Sequence, residues 1–309
     1  MSFKFIDLFA GIGGMRLAFE KAGAACVFSS EWDRFAKQTY ESNFGEVPHG
    51  DITKIHEEEI PRFDILTAGF PCQPFSSIGK RQGFEHKTQG TLFYDVARII
   101  DYHKPKSFLL ENVSGLVTHD RGNTLATILE TLEDLGYSVT YKILDSADFR
   151  VPQKRKRIYI VGFNNLKVKK NEFVFPKPRR GFVGIGKHVE MGLNDLSISK
   201  HLQSVYIYKE NDGRPEVISQ KSDFPVKTLV ASYHKIQRLT GTFVKDGPTG
   251  LRLLSANECK AIMGFPKSFK VPVSRTQMYR QFGNSVAVPV VAAVAKSMVY
   301  HLEQNSRGR

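Results

Sequence analysis

Cysteine, long apolar runs and repeats are all scarce in this chain. Of 309 residues only three are cysteine, Cys26, Cys72 and Cys259. They are odd in number, far apart and form no CxxC pair, which argues against a disulfide framework and against a structural zinc site; no metal is expected. No uninterrupted apolar run reaches the roughly 18 residues of a membrane helix. The opening "MSFKFIDLFAGIGG" has neither the basic region nor the cleavage site of a secretory leader, so a cytoplasmic protein without membrane contact is expected. Internal repeats and low-complexity tracts are absent. Acid is also missing, but only locally: residues 151–180 carry ten Lys or Arg against one acid.

An apolar content of 41% and a charged content of 24% belong to a globular protein, and the length suits one large domain plus a smaller one. The charge is split unevenly. Residues 1–150 hold 16 basic against 21 acidic residues, and residues 151–309 hold 28 against 10, for a total of +13. A solvated basic face is the plain reading of isolated lysines. A split this lopsided is better explained by one half facing a polyanion, with nucleic acid the leading candidate.

Up to about residue 165, short apolar runs alternate with amphipathic segments. Strands are expected at 4–10, 25–30, 63–69, 106–113, 138–144 and 157–163, and helices near 14–23, 33–43, 92–103 and 121–136. This alternation predicts an α/β fold with a doubly wound, mostly parallel sheet, whose ligands bind beyond the carboxyl ends of the strands. From 165 to 250 the pattern weakens. "FPKPRRGFVGIG" reads as a linker, and "SVYIYKE" (204–210) and "GTFVKDG" (241–247) as strand-like. A helix is expected at 255–265 and a terminal one at 285–302, with Pro289 in its first turn. The expected division is 1–178 plus 284–309 as a catalytic domain, 179–255 as a smaller domain, and 256–283 as a hinge.

"DLFAGIGG" (7–14) ends the first strand in a glycine turn leading into a helix, where free N–H groups favour a ligand. Glu31, at the end of the second strand, can accept from ribose hydroxyls. A dinucleotide fingerprint fails because its third glycine position is Arg16. Trp32 can stack on an adenine or simply pack, and Asp51 can hydrogen-bond an adenine edge or sit in an ordinary turn. Cys72, between two prolines in "GFPCQPFS", is either a small buried hydrophobe or an accessible thiolate nucleophile. Cys26 and Cys259 lie inside apolar patterns and read as structural. Glu111 in "LLENVSG" can be a proton-bearing carboxyl or a salt-bridge partner. Arg155 and Arg157 share one face at strand period and suit a carbonyl oxygen or a phosphate, unless they lie on a solvated edge. Taken together, these residues fit carbon methylation of a pyrimidine.

The motifs "DLFAGIGG", "EWD", "GFPCQPFS", "GTLFYD", "ENV", "QKRKRIY", "RLLSANECKAIMGFP" and "QFGNSV" stand in the order found in the cytosine-C5 DNA methyltransferases. The chain resembles that family, and its small bacterial restriction–modification members in particular, over residues 4–163 and 225–290. The resemblance implies S-adenosyl-L-methionine as cofactor and double-stranded DNA as substrate. It implies that Cys72 attacks C6 of a flipped cytosine, that Glu111 holds N3, and that Arg157, assisted by Arg155, binds O2. Phe9, Ile12 and Gly14 would line the cofactor, Glu31 its ribose and Trp32 its adenine. Asp51, Ile52, Gly69, Pro71 and Leu92 match further cofactor positions, and Asn284, Ser285 and Val286 would close the site. Loop 73–90, with Gln73 and Ser76, would fold over the DNA, while Thr228 and Arg252 would contact its backbone. Gln89 stands where the family often has arginine. "SYHKIQR" (232–238) is the expected base reader. A separately acting restriction endonuclease and a monomeric state complete the expectation. The rival readings are a tRNA methyltransferase and a catalytically silent DNA-binding protein.

Overall fold

The computed structural model describes residues 2–71, 92–168, 173–179 and 181–307. Six strands build its main sheet: β1 (Lys4–Leu8), β2 (Ala25–Ser30), β3 (Ile65–Gly69), β4 (Ser107–Val113), β5 (Tyr137–Asp145) and β6 (Lys156–Asn164), in the order β2-β1-β3-β4-β6-β5. β1 is parallel to β2 and β3, and β3 is parallel to β4. β3 and most of β4 are buried on both faces, which is why they read as continuous apolar runs. Helices α1 (Gly14–Lys21), α2 (Arg34–Phe44), α3 (Leu92–His103) and α4 (Asn123–Asp134) separate the strands.

The fold is mostly parallel, with one reversal: β6 is antiparallel to both β4 and β5. The link from Asp145 to Lys156 is too short for a crossover helix, so the chain turns straight back. This reversal has a chemical consequence. The start of β6 lies beside the end of β4, pairing Val113 with Arg157 and Glu111 with Tyr159.

Beyond β6 regular structure thins. A single turn, α5 (Lys200–Leu202), runs into a π-helical turn at Gln203–Ile207, where a strand was expected from "SVYIYKE". The Ser199 hydroxyl caps the turn at Leu202 N, and Gln203 Nε2 donates to Ile198 O and Thr249 O, so side-chain bonds override the alternation. β7 (Glu216–Ile218) and β8 (Thr242–Val244) form a short parallel pair. Then follow α6 (Ala256–Met263), α7 (Arg275–Asn284) and α8 (Val288–Arg307). The stretch Arg275–Ser306 is long and apolar enough to cross a membrane, but most of it is buried within the protein. Val290, Val294, Met298 and Leu302 form the buried stripe of α8, which packs on α1 as a core helix. One apolar cluster runs from α1 through Ile185–Leu254 to α8, and a second lies under α3 and α4 on the other side of the sheet.

Candidate active site

A cavity of about 720 Å³ opens at the carboxyl ends of β1 to β4. Its wall contains Phe9, Ile12 and Gly14 from the β1–α1 turn, Glu31 and Trp32 after β2, and Asp51 and Ile52 beyond α2. Gly69 ending β3 and Pro71 beyond it, Leu92 opening α3, and Asn284 ending α7 with Ser285 and Val286 after it complete the expected cofactor set in the same wall. Glu111, Arg155 and Arg157 line it too. Cys72, Gln73, Ser76 and Gln89 lie outside the described residues.

The glycine turn is shaped by backbone that most residues avoid. Phe9 and Gly11 both have φ of 55°, in the left-handed region. At Gly14, a Cβ would lie 2.9 Å from both Ser285 Oγ and Val286 Cγ2, so the turn and the segment after α7 fit only without a side chain there. Glu31 braces this arrangement. Its carboxylate accepts from Gly11 N and Asp33 N, each at 2.8 Å, and it is buried. Burial raises its pKa against those two amides. Trp32 is 78% exposed, an aromatic face left open at the cavity edge. Asp51 accepts from Thr53 N and Thr53 Oγ1, which fixes the turn that carries Ile52.

Sequence reasoning passed over three further residues. Ser30 and Gln281 line the cavity, and both are buried; Ser30 Oγ and Gln281 Nε2 have no hydrogen-bond partner. Gln281 lay in view, inside "QFGNSV". Asp7, in the first motif, is fully buried, with one oxygen accepting from Thr67 Oγ1 at 2.9 Å and the other unpartnered. Burial pushes its carboxyl up to about 7.

The other end of the cavity carries charge. Arg157 Nε lies 3.2 Å from Glu111 Oε1, an ion pair without hydrogen-bond alignment, since that oxygen has no such partner. Burial raises the Glu111 pKa, and the opposing pull of Arg157 and Arg155 does not cancel it. A carboxyl held this way keeps a proton to donate further toward neutral pH than an exposed one. Asn112 Nδ2 donates to Phe70 O at 3.0 Å and so holds the chain just past β3.

Three expectations need correction. Arg155 spends its terminal nitrogens within the protein, Nη1 on Leu229 O and Nη2 on Gly283 O and Ser285 O, so only its buried, unpartnered Nε remains for the expected assistance at the base. Arg252 cannot touch a DNA backbone, because it is fully buried and its guanidinium is held by Asp246, Glu258 and the carbonyls of Glu190 and Leu253. Within "SYHKIQR", Tyr233 and Arg238 face inward: Tyr233 donates to Thr242 O, and Arg238 pairs with Asp212. Lys235 and Gln237 are the exposed members of that segment. Thr228 is half-buried and donates from Oγ1 to Lys154 O at 2.7 Å.

An open α/β sheet, a glycine turn braced by a carboxylate after the second strand, an open aromatic face and orphaned polar atoms form a pocket fit for an adenosyl cofactor. Beside it, a proton-bearing carboxyl is paired with an arginine. Together these define a cofactor-dependent transferase. The C-5 cytosine-specific DNA methylases match residues 3–300. The type II methyltransferase M.MspI of Moraxella sp is 60% identical over 96% of this chain and 70% of that protein. M.BsuFI of Bacillus subtilis is 60% identical over 95% and 72%, and M.HhaI of Haemophilus parahaemolyticus 43% over 94% and 93%. Among solved structures, a DNMT2 mutant of Spodoptera frugiperda superposes with a TM-score of 0.78 at 22% identity, covering 98% and 100% of the two chains, which supports the fold. The chain belongs to the C-5 cytosine-specific DNA methylase family. It is a DNA cytosine-C5 methyltransferase, and its cofactor is S-adenosyl-L-methionine.

Proposed function

We propose that this enzyme methylates one cytosine of a short double-stranded DNA site as the modification partner of a separately acting restriction endonuclease. It works as a cytoplasmic monomer. The observation that carries the site assignment is the convergence of the expected cofactor residues, Glu111 and Arg157 in one cavity. S-adenosyl-L-methionine, when bound, supplies an electrophilic methyl group. Phe9, Trp32 and Ile52 enclose it with apolar surface, Glu31 accepts from its hydroxyls, and Asn284 to Val286 exclude water at the closing edge.

The Cys72 thiolate adds to C6 of a cytosine turned out of the duplex, forming a carbon–sulfur bond and making C5 electron-rich. Glu111 gives its proton to N3 as charge develops there, and Arg157 donates to O2. After C5 is alkylated, its proton leaves to solvent, the carbon–sulfur bond breaks to release the Cys72 thiolate, the C5–C6 double bond returns, and N3 gives its proton back to Glu111. Residues 1–178 and 284–309 carry this chemistry, 179–255 read the DNA with Thr228 on its backbone, and 256–283 form the hinge. Gln73 and Ser76 contact the DNA. The surplus of basic residues beyond residue 150 draws the polyanion in.

The test is transfer of labelled methyl to unmethylated duplex DNA, with tRNA as comparator, followed by mapping of 5-methylcytosine. One methylated motif is expected. Transfer to tRNA alone would replace the substrate assignment, and no transfer to either would favour a silent DNA-binding protein. Cys72→Ser is expected to abolish transfer while DNA binding in a gel-shift assay stays intact; a fully active variant would remove Cys72 from the mechanism.

A further inference from the structure

Arg155 is a buried cation without a hydrogen-bonded carboxylate. It is 4% exposed, and its two terminal nitrogens meet carbonyls from two distant parts of the chain, while Nε has no hydrogen-bond partner. Nη1 bonds Leu229 O at 3.3 Å, while Nη2 bonds Gly283 O at 3.1 Å and Ser285 O at 2.7 Å. Keeping a charge there is costly, so an apolar side chain would serve packing alone as well or better. The planar fork offers something else, a rigid link between the two segments it holds.

Each segment is fastened to a different part of the site. On one side, residues 226–229 are tied to the strand entry. Lys154 N donates to Val226 O at 2.8 Å, Leu229 N to Gln153 Oε1 at 2.7 Å, and Thr228 Oγ1 to Lys154 O. On the other side, Ser285 and Val286 abut Gly14 of the cofactor turn. The two meet directly as well: a Cβ on Gly283 would collide with the backbone of Val230 and Ala231.

We infer that Arg155 is a positioning residue that couples the DNA-facing segment 226–231 to the segment 283–286 that closes the cofactor cavity. DNA engaging Thr228 shifts or stiffens the Leu229 carbonyl, and the shared guanidinium passes that constraint to Gly283 and Ser285. Linkage makes the effect reciprocal: bound cofactor tightens DNA as much as DNA tightens cofactor. The inference rests on the proposed roles of Thr228 and of residues 284–286.

Trp32, the one tryptophan of the chain, lines the cavity and serves as the probe. Its fluorescence is titrated with S-adenosylhomocysteine, which cannot donate a methyl group, with and without a duplex that the enzyme methylates. In the wild type, DNA is expected to tighten the ligand by about 5- to 150-fold, the usual span of such coupling. In Arg155→Met that ratio is expected to fall close to one. Arg155→Lys keeps the charge but reaches fewer carbonyls, and its ratio should lie between. A purely packing role would lower the melting temperature of these variants and leave the ratio intact. A wild-type ratio of one, or an Arg155→Met ratio equal to wild type, overturns the inference. If Arg155→Met does not fold, Arg155→Lys decides alone, and an unchanged ratio overturns it. Failure of the wild type to bind S-adenosylhomocysteine at all would break the cofactor-site reading, and the coupling with it.

Discussion

The six-stranded sheet and the segment from residue 173 to 254 share an apolar cluster but are ordered by different means. In the sheet, ladders between long strands pair the backbone groups, and buried charge is confined to a few residues such as Asp7 and Glu111. Among its described residues the later segment has only two three-residue strands, β7 and β8. Beside its share of the apolar cluster, two buried arginines tie its loops together. Arg238 gathers Asp212 and the carbonyls of Ile207 and Glu210, and Arg252 gathers Asp246, Glu258 and the carbonyls of Glu190 and Leu253. Where no ladder pairs the backbone, a guanidinium with five fixed donors can do so for several loops at once.

Removing an anchor should separate the two regions most sharply. Glu258→Ala leaves Arg252 buried with half its carboxylate partners gone, and about 3–5 kcal/mol of stability is expected to be lost in urea unfolding. Amide exchange should rise first across residues 190–254. Equal loosening of β1 to β4 would show that the two regions do not differ in this way.

The buried charge of the sheet is tested by pH. Burial outweighs the Thr67 hydrogen bond, so Asp7 keeps its proton up to about pH 7 in the folded protein, whereas in the unfolded chain it loses it near the ordinary 3.8. Between those values the folded state binds more protons than the unfolded one, so stability falls as pH rises through that window. Asp7→Asn should flatten this slope and raise stability at pH 8 by roughly 2–4 kcal/mol. Thermal unfolding measured from pH 4 to 8 checks it, and a variant that keeps the wild-type slope would place the titration elsewhere.

The smallest effect is expected at α2. Asp33 Oδ1 accepts from Phe35 N at 3.0 Å and Ala36 N at 2.8 Å. Asp33→Ala should cost about 1 kcal/mol of stability. Binding of S-adenosylhomocysteine should change little, because Glu31 is held by the Asp33 backbone amide and not its side chain. A large loss of affinity would instead give the Asp33 carboxylate a direct role at the cavity.

Much of the sheet half is legible in the sequence. The strand at 25–30 and the helix at 92–103 coincide with β2 and α3, since apolar spacing, caps and glycine turns are local signals. The expected cofactor residues share one wall because most lie at or just past the carboxyl ends of β1, β2 and β3, joined by Asp51 and Ile52 beyond α2, Leu92 opening α3 and the segment that ends α7. The π-helical turn at Gln203–Ile207 was not legible, because partners at Ile198 and Thr249 decide it. Nor was the burial of Arg252, an arginine in a basic half that reads like any DNA contact until Glu258 and Asp246 surround it.

Residue type and spacing alone determined the fold class and the glycine turn after the first strand. These depend on short stretches whose chemistry is complete within a few residues. Tertiary structure alone decided the direction of β6, which sets Arg157 beside Glu111, and the fate of each arginine. A guanidinium is the same in every sequence. Whether it meets a base, a phosphate or a buried carbonyl depends on partners as distant as Ser285 is from Arg155, 130 residues along the chain.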